Sequence, residues 1–240
     1  MSINAFLAGS TGLVGSHMLT TLISHPSVAH TSAFTRRALP HTSPKLSTLP
    51  VDPASATDSA AWPTLLPNPA PQPSLFLSGL GTTRAAAGSV QKQIAIDRDF
   101  NLELAKAAKA AGVTTYVLIS ATGASASSSF AYPKMKGELE DAVTALGFEH
   151  TVLVRPGMIV GPRDEARLAE AALRKLAGLA GMLGNAFKDP WAQDAEVIAR
   201  AAVNAGVQCV EGKREKGVWV VGQSDIVRLG RTEWKVEEQK

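Results

Sequence analysis

Three glycines spaced three apart, Gly9-x-x-Gly12-x-x-Gly15, follow directly on the apolar run Ile3-Asn4-Ala5-Phe6-Leu7-Ala8. A short apolar strand that ends in such a turn and continues into a helix predicts a βα unit, with the helix N-terminus open at the strand's end. The glycines allow a tight turn, close approach of backbone to a pyrophosphate, and close helix–strand packing. Gly9, Ser10, Thr11, Gly12, Leu13, Val14 and Gly15 are therefore the expected cradle of a dinucleotide. The spacing differs from the G-x-G-x-x-G form, so position after a strand, rather than the glycines alone, carries the reading.

The rest of the chain repeats the alternation. Strand-like runs recur at 32–35, 75–78, 115–120, 151–155 and 218–221, and helical patterns run to about residue 24 and over 91–111, 134–146, 165–183 and 194–205. Gly112 and Gly147 stand where helix ends favour glycine. Such alternation predicts an α/β fold: a Rossmann-type, doubly wound parallel sheet with helices on both faces and ligands at the C-terminal strand ends. We read residues 1–240 as one NAD(P)-binding domain, with about 156–240 contributing a substrate lobe. Residues 39–74 hold most of the prolines and read as long loop with at most one short strand and a helix near 54–66.

Composition removes other classes. The apolar share of 45% supports a sizeable core. Lys plus Arg is 24 against 21 for Asp plus Glu, and no basic run exceeds two residues, which argues against a nucleic-acid surface. The single cysteine, Cys209, excludes a disulfide framework and a cysteine zinc site, and the five histidines are scattered, so no metal is expected. No apolar stretch reaches the roughly 18 residues of a membrane span. No basic segment precedes Ile3, so no removable leader is expected ahead of the first motif.

Arg36 and Arg37 lie about 20 residues past the glycines with no acidic neighbour. An acid there would bind a ribose 2′-hydroxyl, whereas arginine accommodates a 2′-phosphate, so the expected cofactor is NADP(H). Tyr132 and Lys136 are four apart, on one face of the predicted helix. A neighbouring ammonium is expected to lower the tyrosine's pKa towards working pH and make it a usable acid. Ser120 or Thr122, at the end of the preceding strand, could polarise a carbonyl. The serines at 125, 127, 128 and 129 read as loop solvation.

The glycine turn, Tyr132-x-x-x-Lys136 and the upstream hydroxyls resemble a short-chain dehydrogenase/reductase of the atypical class. Leu80-Gly81-Thr82-Thr83-Arg84, Asp97-Arg98-Asp99, Lys136-Gly137-Glu138, Arg155-Pro156-Gly157 and Leu229-Gly230-Arg231-Thr232-Glu233-Trp234 resemble the Tat-interacting-protein group, and within it the fungal members of the mitochondrial outer membrane. The resemblance spans nearly the whole chain and is weakest over 39–74. It implies NADP(H) across the strand ends, with Leu80, Gly81, Thr82, Thr83, Pro156 and Gly157 in the cofactor site. It implies Tyr132 as proton donor and Lys136 as the bridge between tyrosine and nicotinamide ribose. Two departures stand out: Ser120-Ala121 where the family often has Ser-Ser, and Asp97 where many short-chain reductases have the asparagine of a proton relay.

The expected function is NADPH-dependent reduction of a small carbonyl substrate. The other reading is a cofactor-binding regulator that docks partners or membrane with little turnover. The resemblance implies peripheral attachment to the mitochondrial outer membrane; the chain alone is equally compatible with the cytoplasm. Segment 165–183 has an apolar arc of leucines and alanines with Arg163, Arg167, Arg174 and Lys175 outside it. It reads either as a packing helix or as a helix lying on an anionic membrane.

Overall fold

The structure of the protein, a computed structural model, describes residues 2–51, 62–161, 189 and 191–235. Strands β1 (Ile3–Ala8), β2 (Val28–Thr35), β3 (Leu46–Pro50), β4 (Ser74–Ser78), β5 (Thr115–Ile119) and β6 (His150–Val154) belong to one parallel sheet. β7 (Met158–Val160) and β8 (Ala192–Asp194) form a small parallel ribbon, and β9 (Gly217–Val221) returns to the main sheet beside β6. The main order is β3-β2-β1-β4-β5-β6-β9. The chain reverses direction across the sheet between β1 and β4, and in open parallel sheets that reversal leaves a ligand crevice at the strand ends.

The strands read as continuous apolar runs because both faces are covered. Side chains alternate between two cores. Ile3, Ala5, Leu7, Leu75, Leu77, Val117 and Val152 share one core cluster with Met18, Leu19 and Leu22 of α1 (Leu13–Ser24). Phe6, Phe76, Tyr116 and Leu118 face the other way. Gln91–Ala111 was expected to be one helix. It is one helical run over residues 90–110, made of α3 (Val90–Ile94), a π-helical turn at Ala95–Phe100 and α4 (Asn101–Ala110) and closed by Gly112 at φ +83°, with the short α2 (Arg84–Ala87) separate and ahead of it. Together with α5 (Ala131–Ala145), α4 covers the aromatic core. The aliphatic core is closed by α6 (Ala195–Val210), whose Ala and Gly residues let it lie close: a Cβ on Gly206 would be 2.8 Å from Leu75.

The strand read at 32–35 begins earlier, at Val28. β3 lies within the proline-rich stretch read mostly as loop, and of the helix placed near 54–66 only the short turn Pro63–Leu65 falls among the described residues. Segment 165–183 lies outside them. Residues 192–235 supply α6 and β9 to the sheet domain itself, then α7 (Gln223–Val227) and a π-helical turn Arg228–Thr232 that packs on α6.

Candidate active site

The glycine turn connects β1 to α1. Gly9 has φ +83°, and a Cβ there would be 2.6 Å from the Gly79 carbonyl carbon at the end of β4. A Cβ on Gly15 would be 1.9 Å from Gly9 O, so neither position admits a side chain. Gly12 is the N-cap of α1 and offers no side-chain cap, and the first turn holds no acid. Backbone N–H groups with partial positive charge therefore face the crevice, as an anion requires. The side chains in this stretch serve the fold: the Ser10 hydroxyl donates to Phe34 O at 2.9 Å, Val14 is buried in the core, and Leu13 packs against it. Val14 therefore has only its backbone to offer a ligand.

The Ser10–Phe34 bond fastens the turn to the end of β2, where Arg36 and Arg37 are exposed. Thr35 and Arg37 close a small loop, the Arg37 N–H donating to the Thr35 hydroxyl at 3.2 Å and that hydroxyl donating to Arg37 O. Among the described residues no carboxylate pairs with either arginine.

Tyr132 lies in the first turn of α5 and Lys136 one turn on. Lys136 is 4% exposed, and its ammonium donates to Ile119 O, at the end of β5, at 3.3 Å. Burial pushes its pKa down, while Asp97 and Glu140 push it back up. Tyr132 is 46% exposed, and its pKa is raised, first by burial and then by Asp97. This corrects the expectation that Lys136 acidifies the phenol. Lys136 directs its charge to Ile119 O and is balanced by Asp97, whose carboxylate the phenol also senses. The other tyrosine, Tyr116, is fully buried between Phe76 and Phe148, at 5.2 and 5.0 Å between ring centroids.

The two hydroxyl candidates separate clearly. Ser120 is buried and its Oγ has no partner. Thr122 donates to Arg155 O at 3.0 Å and accepts from Gln223 Nε2 at 2.9 Å. Ser125 and Ser127 bond each other.

Asp97, 1% exposed, sits in the π-helical turn and accepts the Thr82 N–H at 2.6 Å. Gln93 donates to Thr82 O at 3.3 Å. Buried Asn101 accepts from the Ser78 hydroxyl and donates to Leu80 O at 3.2 Å and Asp97 O at 3.1 Å. Leu80, Gly81 and Thr82 are thus held from the helical run 90–110, and Thr83 caps α2 by accepting the Ala86 N–H. Burial raises the pKa of Asp97; Lys136, the Thr82 N–H and Gln93 oppose that rise. Asn101 and Gln93 were missed in the sequence, although an asparagine inside a helix, where it competes for backbone hydrogen bonds, is itself a signal.

Pro156 and Gly157 have fold reasons of their own. Pro156 O accepts the Thr122 N–H at 2.8 Å. The Gly157 N–H donates to buried Gln193 at 2.7 Å, and a Cβ on Gly157 would be 2.5 Å from Trp191 O. Arg155 grips Glu140 of α5 with two nitrogens, Nε at 3.0 Å from Oε1. A cavity of about 420 Å³ opens beside Tyr132, walled by Val90, Ile94, Ala131 and Met135, with Thr82, Thr83, Arg84 and Gln93 completing it.

A seven-stranded parallel sheet flanked by helices, with a glycine turn at the reversal of its strand order, defines a Rossmann-like α/β protein. The chain belongs to the NAD dependent epimerase/dehydratase family, which residues 5–183 match. It is similar to "Protein fmp52, mitochondrial" of Aspergillus fumigatus, 49% identical over 95% of this chain and 98% of that protein. It is also similar to "Protein fmp-52, mitochondrial" of Neurospora crassa, 45% identical over 95% and 96%. Among solved structures it resembles a UDP-galactose 4-epimerase, with TM-score 0.65 and 12% identity over 91% of this chain and 76% of that one. A short chain dehydrogenase family protein from Francisella tularensis gives TM-score 0.62 and 11% identity over 94% and 99%. At such identities the likeness to these structures shows the fold.

Proposed function

We propose that the protein is an NADP(H)-dependent oxidoreductase of the short-chain type, in the Tat-interacting-protein group, that reduces a small carbonyl substrate to an alcohol. The observation that carries this reading is the Tyr132–Lys136 pair on one turn of α5, beside the buried, unpartnered hydroxyl of Ser120. The residues present fit a dinucleotide: Gly9 and Gly15 let the turn close tightly against the end of β4 and against itself, and the uncapped start of α1 offers N–H groups to phosphates. When bound, the nicotinamide supplies the hydride. Ser120 would donate a hydrogen bond to the carbonyl oxygen, Tyr132 would deliver the proton to it, and Lys136 would help hold the ribose. The Leu80–Thr83 loop, held in place by Asp97, Gln93 and Asn101, would hold the adenosine side. Consumption of NADPH with a panel of small aldehydes and ketones tests the reading; no turnover across a broad panel would leave the regulator reading in its place.

Exposed Arg36 and Arg37 support NADP(H) over NAD(H). NADPH is expected to bind at least about tenfold tighter than NADH, and Arg36→Ala with Arg37→Ala to erase most of the difference. Equal affinities for the two cofactors in a fluorescence titration of the unaltered protein would refute this.

We further propose a peripheral place on the mitochondrial outer membrane. The fungal relatives carry "mitochondrial" in their names, and among the described residues no helix is long and apolar enough to cross a membrane. The sequence of 165–183, with basic residues outside an apolar arc, supports contact with anionic lipid. Weak, salt-sensitive flotation with anionic vesicles is expected, reduced by Arg167→Glu with Arg174→Glu. A protein that stays wholly in the soluble fraction at low salt would rule out direct lipid binding.

A further inference from the structure

The cavity beside Tyr132 has a lining that narrows what can fill it. Its volume of about 420 Å³ suits a small ligand, and Val90, Ile94, Ala131 and Met135 make its walls largely apolar. Phe130, just before Ala131, leaves its ring 76% exposed and adds apolar surface at the start of α5. The polar groups on the Thr82 side are mostly committed: the Thr82 N–H to Asp97, Thr82 O to Gln93, and the Thr83 hydroxyl to the Ala86 N–H.

Arg84 differs from them. Its guanidinium is exposed, and among the described residues no carboxylate lies within ion-pair distance of it. The other arginine of this helical region, Arg98, is held by Asp99 and Glu138. No acidic side chain lines the cavity. Asp97 stands behind Gly81, whose Cβ position is 3.8 Å from the carboxylate, and buried Lys136 balances its charge. The cavity therefore offers an apolar wall, one unpaired planar cation and an accessible phenol.

We infer that this cavity selects carbonyl compounds with an apolar body and a carboxylate, the carboxylate held by Arg84 while the carbonyl meets Tyr132. The inference rests on the reductase reading above for the role of Tyr132, and it adds the substrate class. A guanidinium presents paired N–H donors that match a carboxylate's two oxygens. On the same reading the dinucleotide's own phosphates would have separate partners at the glycine turn and at Arg36 and Arg37.

Calorimetric titration of the full chain with NADPH present tests this, using octanoate and octanamide as probes of one length that differ in charge. Octanoate is expected to bind about tenfold tighter than octanamide. Arg84→Gln should bring octanoate down to the octanamide level and leave octanamide unchanged, with Arg84→Lys keeping part of the preference. In turnover, an oxo acid should be preferred over its methyl ester by a similar factor, and Arg84→Gln should remove that preference. Equal binding of the two probes to the unaltered protein, or a preference that survives Arg84→Gln, would overturn the inference. So would an Arg84→Gln variant that loses NADPH affinity about tenfold, because Arg84 would then belong to the cofactor site. A charge preference that depends on Arg84, in a protein that reduces no carbonyl, would uphold the anion-selective cavity and refute the reductase reading instead.

Discussion

Tyr132→Phe is expected to cut turnover of any accepted carbonyl by about a hundredfold or more, while NADPH affinity changes by less than about twofold. The substitution removes one oxygen from a side chain that is 46% exposed, so the fold has little to lose. The other phenol, Tyr116, is fully buried in the aromatic core and has no route to the crevice. The loss should appear in kcat, because the ring that walls the cavity remains. The pH profile carries a second signature. Burial and the Asp97 carboxylate hold the phenol's pKa above its ordinary value, so Tyr132 keeps its proton through the neutral range. Its contribution should fall only as pH rises through that raised value. Asp97→Asn keeps an oxygen for the Thr82 N–H but removes the charge, so this alkaline limb should move to lower pH. A Phe variant as active as the parent would take Tyr132 out of the chemistry, and an unmoved limb would take Asp97 out of its environment.

The sheet was legible because its central strands are buried on both faces: Ile3–Ala8 is apolar at every position but Asn4, since Leu7 and Phe6 serve different cores. β3 was obscure for the opposite reason. It is an edge strand whose residues are exposed or half-buried, and it ends in Pro50, which an edge tolerates. At the site, spacing along one element was readable. Gly9 to Gly15 lie within one strand-to-helix connection and Tyr132 and Lys136 one turn apart on α5, and a local period exposes both spacings. What arises between elements was not readable. The helical period over 91–111 does not reveal the π-helical turn that brings Asp97 against Thr82 and under the electrostatic influence of Lys136. The Tyr132 pKa is raised first by burial and then by that carboxylate, and the spacing of Tyr132 and Lys136 shows neither. Ser120 and Thr122 looked equivalent because nothing near them in the sequence shows that Gln223 and Arg155 O engage Thr122.

Arg155→Met is expected to destabilise the protein by about 3 kcal/mol, most of which returns in the double variant with Glu140→Gln. The Glu140 side chain is 3% exposed, and Arg155, at the end of β6, meets both of its oxygens. Removing the guanidinium leaves a buried carboxylate without its partner, and that orphaned charge is the costly species. A neutral amide at 140 removes the charge and keeps the shape. The same logic reaches the site, because Glu140 lies one turn beyond Lys136 on α5 and already raises its pKa. Without Arg155, the Glu140 carboxylate has Lys136 as its nearest buried cation on the helix and should draw the ammonium away from Ile119 O. The single variant should therefore also lose kcat beyond any loss of folded protein, and Glu140→Gln should restore it in the double. Urea unfolding of the four members of the cycle, with kcat measured on the folded fraction, separates the two effects. Additive stability costs would show that the pair is not coupled. A kcat that follows only the folded fraction would confine Arg155 to holding α5 on the sheet.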